Sequence, residues 1–364
     1  MKNILGNAIT LTMFGESHGE CVGGVIDGLP GGMKVDMDRI MKEMGKRRSV
    51  ASISTPRREE DRPRFISGVR NGYTEGTPVA FIIENRSVHS SDYDSLKGIA
   101  RPGHADYSAH VKYGGYEDAR GGGHFSGRLT AVMVTAGALL MPALENKGIF
   151  IGSHILELAG IRDAELSRTD PAADIQRLND MEFAVLDSDA GERMIQAALD
   201  ARAEGDSVGG ILETAVTGLE AGLGEPAFGS VESELARGMF SIGAVKGIEF
   251  GSGFEMAGMR GSEANDAFRM ENGRIVTLTN HNGGINGGIT NGMPVIFRTA
   301  VKPTPSIGIT QQSVNFETME NVEISIGGRH DPAVVHRARA AVDAMTALVI
   351  ADLICQRYGY TALL

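Results

Sequence analysis

Cysteine is nearly absent: Cys21 and Cys355 are the only two in 364 residues, and no CxxC pair occurs. A disulfide framework is thereby excluded, and nothing demands an oxidising compartment. A basic surplus is also lacking. The net charge is −11, the opposite of the balance by which nucleic-acid binders draw affinity from phosphates. Long apolar runs are missing too. The longest, from Leu129 to Leu144, is interrupted by Thr130, Thr135, Gly137 and Pro142 and is shorter than the roughly 18 residues of a membrane span. It reads as a buried helix. The N-terminal MKNILGNAITLTMFGESHG lacks the apolar core and cleavage site of a secretory signal, so a cytoplasmic protein without membrane partners is expected. The nine histidines form neither an H-E-x-x-H pair nor a Cys/His cluster, which argues against a metal site. The nearest dinucleotide fingerprint, Gly222 to Ala227, has no βαβ pattern around it.

Glycine, by contrast, is abundant. The chain has 49, well above the average share of about 7%, implying many tight turns or close approaches of backbone to a ligand. Hydrophobic content of 42% and charged content of 22% are those of an ordinary globular chain. Length alone suits roughly two or three domains, but no stretch reads as a linker, so residues 1–364 are expected to form one unit with helices layered on sheets. Positive charge is concentrated. Between Arg39 and Arg70 lie ten Lys or Arg against four acids, a local cationic patch suited to a small anionic ligand.

Periodicity predicts strands over 8–14, 78–84, 206–220 and 294–301, and helices over 36–45, 189–204 and 229–240. Residues 49–63 are polar, basic and aperiodic, and are expected to form a mobile loop. Residues 85–123 make a second long aperiodic stretch whose tyrosines argue for a functional loop rather than disorder. Two stronger helices are expected, from Ser126 to about Leu144 and from Asp331 to about Tyr358. Each follows a glycine-rich turn, an arrangement whose free N–H groups and dipole favour anions.

Five constellations carry chemistry. Gly15-Glu16-Ser17-His18-Gly19 satisfies the G-x-S-x-G of a nucleophile elbow, but ECVGGVIDGLPGG after it is a poor helix. Arg101-Pro102-Gly103-His104-Ala105-Asp106 puts a guanidinium beside an imidazole. Gly121-Gly122-Gly123-His124-Phe125-Ser126-Gly127-Arg128 offers a close backbone approach, a serine cap and an arginine at a helix N-terminus. That arginine opposes the dipole unless an anion compensates it. Thr279 to Gly288 carries paired glycines, and Lys302-Pro303-Thr304-Pro305-Ser306 supplies one charge and two hydroxyls for a phosphate. In Gly328-Arg329-His330-Asp331-Pro332, Asp331 reads as an N-cap with Pro332 at the first helical position.

In order, GESHGECVGGVIDGLP, RPGHADYSAHVKYG, GGGHFSGRLTAVMVTAGAL, GLGEP, SIGAVKG, HNGGINGGI, KPTPSI and GRHDP resemble the landmarks of the chorismate synthase family over nearly the whole chain. The resemblance implies an α+β fold, a β-α-β sandwich with helices layered between antiparallel sheets, assembled as a homotetramer. It implies an anti-1,4-elimination of phosphate from 5-enolpyruvylshikimate 3-phosphate, giving chorismate with reduced FMN required and no net redox change. NADPH or an external reductase as the source of reduced flavin stays open. Residue by residue, His18 and His104 match the family's proton-transferring histidines, Asp331 its aspartate, and Ser17 and Ser126 the serines of its relay. Arg47, Arg101, Arg128 and Arg329 match arginines that hold substrate anions. His124, Phe125, Ser126, Gly287, Lys302, Pro303, Thr304, Pro305, Ser306 and Arg329 match FMN-binding positions. The chain departs from the family at His124, where an arginine is usual, and in the shortened segment after Arg48, where Arg57 is a candidate replacement for a lost arginine. Pro305 stands for a serine, and Asp343 for a common glutamate. A flavin-binding homologue without lyase activity and a Ser-His hydrolase, marked by labelling of Ser17, remain as alternatives.

Overall fold

Two five-stranded antiparallel sheets enclose a helical layer in this computed structural model, which describes residues 3–48, 53, 61–86, 98–327 and 331–364. The helices are α1 (Met37–Lys46), α2 (Asp106–Tyr113), α3 (Thr130–Glu145), α4 (Ala172–Asn179), α5 (Ser188–Ala203), α6 (Val231–Phe240), α7 (Gly261–Ala264) and α8 (Val335–Tyr358). The first sheet runs Ile4–Leu5, Thr10–Gly15, Cys21–Asp27, Val79–Glu84, Arg64–Ser67. In Val79–Glu84 the alternation is strict: Val79, Phe81 and Ile83 are buried, as expected of a strand with one face on the core. The second sheet runs Ile161–Arg162, Phe150–Leu158, Gly210–Thr217, Val295–Val301, Val245–Phe250.

Helices α3 and α8 lie between the sheets and are buried almost all round; α3 is apolar nearly throughout, the pattern of a helix buried on every side, while α8 also buries His336, Arg339, Asp343 and Asp352. They cross closely because Gly137 of α3 meets the backbone of Ala344 in α8, where a Cβ would overlap the Ala344 carbonyl. Val132 of α3 reaches Gly24 of the first sheet, and Val335 of α8 reaches Gly210 of the second. The segment Gly127–Glu145 is long and apolar enough to cross a membrane, but 72% of it is buried inside the fold, so it is core. Its two neighbours in the layer, α1 and α6, add Ile40, Met44, Leu235 and Met239 to the same hydrophobic cluster.

Two expectations are corrected. Asp331 is not an N-cap: α8 starts at Val335 after Val334, and the Asp331 carboxylate is bonded to Arg337 instead. The aspartate therefore belongs to the approach to the helix. The stretch 85–123 is not all loop, since Asp106–Tyr113 forms α2; only Ala109 of that helix is buried, which leaves little apolar periodicity to read. The anion that offsets Arg128 at the start of the α3 region is internal, the carboxylate of Asp61. Most of 49–63, including Arg57, lies outside the described residues.

Candidate active site

A cavity of about 550 Å³ opens where the first sheet, the glycine-rich turn before α3, the start of α8 and the turn after Val301 converge. Its size lies within the usual range of small-molecule sites. It is lined by Ser17, His18, Arg47, Arg101, His104, Phe125, Ser126, Arg128, Lys302, Thr304, Pro305, Ser306 and Asp331. Residues from six separate stretches of sequence thus share one space.

The glycine triplet organises the two imidazoles. Gly121, Gly122 and Gly123 all have positive φ, +59°, +84° and +52°, so the chain coils back on itself in a way that side-chain-bearing residues rarely adopt. The His18 ring lies directly over the Cα of Gly121, and a Cβ there would overlap Cε1 and Nδ1. A Cβ on Gly122 would stand 3.2 Å from Cε1 and Nε2 of His104. Ser17 ties this turn to the end of the strand Thr10–Gly15. Its N–H donates to Gly123 O at 3.2 Å, and its Oγ donates to Gly121 O at 3.1 Å, with His18 Nδ1 3.2 Å away. This geometry removes the hydrolase alternative, because Ser17 is followed by a turn and the strand Cys21–Asp27 instead of the helix that a nucleophile elbow requires.

His104 is gripped by a charged pair. Its Nδ1 is 2.8 Å from Asp106 Oδ1, and Arg101 donates from Nε to Asp106 Oδ2 at 2.8 Å and from Nη2 to Oδ1 at 2.6 Å. Burial opposes ionisation of Asp106, but the hydrogen bonds from Arg101 and His104 prevail and hold its carboxyl well below the usual range. Asp61 bridges two further arginines. It accepts from Arg47 Nη1 at 2.7 Å and from Arg128 Nη1. Its own ionisation is disfavoured by burial, yet the two guanidiniums keep its carboxyl below the ordinary value. Burial, with Arg337 and Arg128 nearby, lowers Arg47 to about 10; the guanidinium stays charged at neutral pH.

The remaining expected residues fall in different places. Ser126 caps the short turn Gly127–Leu129 by accepting from Arg128 N. Lys302 Nζ donates to Gly103 O, fastening the His104 loop to the wall that carries Thr304 and Ser306. His124 turns away from the cavity, its Nδ1 3.0 Å from Gly15 O. Pro303 is not among the lining residues, and neither is Gly287, which sits in the hairpin formed by Ile285–Asn286 and Ile289–Thr290. Arg329 lies outside the described residues.

Several lining residues were not anticipated: Arg48, Asp61, Asn85, Ile242, Gly243, Ala244 and Arg337. The SIGAVKG landmark contained the signal for three of them. Ala244 holds a positive φ of 73°, uncommon without glycine and enriched at functional sites, and its carbonyl accepts from Lys302 N at 2.9 Å. Arg337 anchors Asp331 and donates from Nε to Arg47 O at 2.9 Å.

Comparison with known proteins agrees with this geometry. The family model described as chorismate synthase matches residues 9–355. A chorismate synthase of Dehalococcoides mccartyi is 46% identical over 354 residues, 97% of this chain and 96% of that protein. One from Pyrococcus abyssi is 46% identical, covering 95% and 96%, and one from Methanosarcina acetivorans 47% identical, covering 96% and 95%. A crystal structure of chorismate synthase superimposes with a TM-score of 0.77 at 26% identity, over 97% of this chain and 94% of that one. With a model spanning almost every residue and relatives this similar end to end, the chain belongs to the chorismate synthase family.

Proposed function

We propose that this cavity converts 5-enolpyruvylshikimate 3-phosphate to chorismate by anti-1,4-elimination with reduced FMN, the last common step of the shikimate pathway to the aromatic amino acids. The observation that carries the reading is the charge of the site. Arg47, Arg48, Arg101, Arg128, Lys302 and Arg337 line it against Asp61 and Asp331, a cationic pocket on a chain of net charge −11. Such a surplus suits a substrate with a phosphate and carboxylates, and a fixed guanidinium fork binds these better than an ammonium.

The residues also fit FMN. Thr304 Oγ1 is buried and finds no hydrogen-bond partner among the described residues. Ser306 and Lys302 line the same wall; an unsatisfied hydroxyl in that setting is matched by a ligand oxygen. Lys302, Thr304, Ser306, Ser126 and Phe125 would hold the cofactor. When bound, reduced FMN supplies electron density to the reacting allylic system and recovers it at the end of each turnover.

The chain's own groups do the rest. Arg47 and Arg128 bind the substrate's anionic groups. His18 would serve as proton donor to the departing phosphate or to bound flavin. His104 would serve as the second proton donor of the site and Asp331 as a proton acceptor, with Ser17 and Ser126, which line the same cavity, supporting the relay. The chain acts as one unit over residues 1–364, in the cytoplasm, as a homotetramer, its flavin reduced through NADPH or by a separate reductase. Apolar side chains left on the surface, such as Phe228, Phe254 and Phe268, support subunit contacts.

The test is an anaerobic assay with 5-enolpyruvylshikimate 3-phosphate and chemically reduced FMN, following chorismate absorbance and phosphate release. Equal yields of both products, absent with oxidised FMN, are the expected result. FMN binding without either product would overturn the reading and favour a homologue that has lost the lyase step.

A further inference from the structure

Beside the main cavity lies a second, of about 320 Å³, and Arg101, His104, Ala105 and Phe125 line both. The His104 ring therefore stands in a partition with open space on either side, and its edge faces the backbone of Gly122. What fixes the ring is polar. Nδ1 is 2.8 Å from Asp106 Oδ1 and 3.0 Å from Arg101 Nη2.

We propose that Asp106 is a positioning residue for the reaction: clamped by Arg101, it holds the His104 imidazole in one orientation with hydrogen on Nδ1, so that Nε2 is the atom that takes and gives the proton. This rests on the proton-transfer role of His104 in the reading above. A carboxylate only accepts and a guanidinium only donates, so the two neighbours of Nδ1 make opposite demands. The shorter contact belongs to the carboxylate. Arg101 Nη2 already has an acceptor in Asp106 Oδ1 at 2.6 Å, whereas a bare Nδ1 would set its lone pair against that same oxygen. Hydrogen on Nδ1 satisfies both. Asp106 cannot rotate away, because Oδ2 accepts from the Arg101 backbone N–H at 2.9 Å and from Nε at 2.8 Å.

The same counting gives Arg101 a second role. Two of its three guanidinium nitrogens engage Asp106, so it acts on the proton-transfer side of the site as much as on substrate anions. The other charged groups lining the second cavity are Glu117, Asp118 and Arg120. Asp118 is bonded to Arg120 through both carboxylate oxygens, and Glu117 to His110. None of these contacts reaches His104.

The informative variant is Asp106→Asn. At the Oδ2 position two donors from Arg101 select the amide oxygen, which places the NH2 against His104 Nδ1. The tautomer inverts and hydrogen moves to Nε2. Steady-state kcat is expected to fall by about 10²- to 10⁴-fold, the scale at which a histidine held in the wrong tautomer loses proton transfer. KM for 5-enolpyruvylshikimate 3-phosphate is expected to change far less than kcat, because Arg47 and Arg128 are untouched and Arg101 keeps the amide oxygen as acceptor for its backbone N–H and Nε. Asp106→Glu should recover part of the loss. Imidazole 15N shifts of protein labelled at histidine, with His104→Gln to assign the signal, should report hydrogen on Nδ1 in the wild type and on Nε2 in Asp106→Asn. A folded Asp106→Asn protein with unaltered kcat, or one whose His104 signal keeps the wild-type pattern, would overturn the proposal. If the wild type makes no chorismate, the functional reading fails by itself, and the nitrogen shifts still decide whether Asp106 sets the tautomer.

Discussion

Replacing Gly121 by alanine separates the chemistry of the site from the stability of the fold. An alanine Cβ at φ +59° would fall within the His18 ring and 2.8 Å from Ser17 Oγ. Backbone strain is the smaller effect, roughly 1 kcal/mol for a side chain forced into the left-handed region. In a chain of this size that lowers Tm by about 2–4 °C or less. The larger effect is displacement. To regain ordinary contact the imidazole must retreat by roughly 1.5 Å, and a misplacement of about 1 Å at a reacting group costs on the order of 10²-fold in rate. Gly121→Ala is therefore expected to fold, to bind substrate within a few-fold of wild type, and to lose at least about 10²-fold in kcat. Gly160→Ala is the control, since it carries the same left-handed strain (φ +77°), lies outside the cavity lining and has nothing among the described residues within 4 Å of a Cβ. The assay is anaerobic chorismate formation, run beside thermal unfolding of each variant. Retention of kcat within threefold by a folded Gly121→Ala protein would refute the claim that the glycine seats a catalytic imidazole.

Other perturbations test other layers. Gly137→Ala puts a methyl group into the Ala344 backbone at the α3–α8 crossing; overpacking of this kind costs about 1–3 kcal/mol, so Tm should drop clearly, and an unchanged Tm would contradict the close crossing. Asp61→Asn removes the carboxylate shared by Arg47 and Arg128, so inorganic phosphate should inhibit more strongly, by about tenfold if one charge-assisted contact is gained. Weaker inhibition would show that Asp61 supports anion binding instead of competing with it. His154 is buried between Asp163 and Glu213. Burial works against its protonation, but the hydrogen bonds to both carboxylates raise its pKa above 6.5. Its contribution to stability is complete below about pH 6.5 and is lost as pH rises through the raised value. Asp163 and Glu213 are shifted down despite burial, so theirs is present above the ordinary carboxylate range and lost as pH falls through the depressed values. The Tm advantage of wild type over His154→Gln should shrink from pH 6 to pH 9, and a gap independent of pH would disprove the charged pairing.

Much of this site could be read from sequence because its chemistry sits in short segments punctuated by glycine, where backbone geometry is nearly dictated by residue type. The GGG turn, the RPGH loop and the KPTPS segment all reach one cavity. The partners that organise them were less legible. Asp61 lies in an aperiodic charged stretch, and Arg337 lies on the first turn of a helix whose start was placed four residues early. Only tertiary contact distinguishes either from surface charge. The strand Phe150–Leu158 was missed for a similar reason. Seven of its nine residues are buried, so the alternation that marks a half-exposed strand is absent. Its polar Ser153 and His154 are tolerated because Thr214, Asp343, Asp163 and Glu213 arrive from other elements to bond them. His124 illustrates the opposite limit: its motif identified the segment, while the direction of its side chain, toward Gly15 O, followed from the kink in the preceding glycines.

A common device links these observations. Five of the six cations that line the cavity, and the His104 imidazole, are held by internal acceptors: Arg47 and Arg128 by Asp61, Arg101 and His104 by Asp106, Arg337 by Asp331, and Lys302 by the Gly103 carbonyl. Grouping several like charges in one pocket is unfavourable, and each added buried cation without a partner would shift or destabilise its neighbours; the lowering of Arg47 to about 10 comes first from its burial and only then from the nearby Arg337 and Arg128. Internal carboxylates relieve it while leaving an overall positive pocket. A ligand anion then exchanges with or joins an existing contact, so its ground-state binding is weaker than the number of arginines suggests. Charge that develops on a departing phosphate meets groups already oriented and already desolvated. That difference between ground and transition state is what accelerates a reaction, and it explains why a cavity rich in arginine also retains aspartates among them.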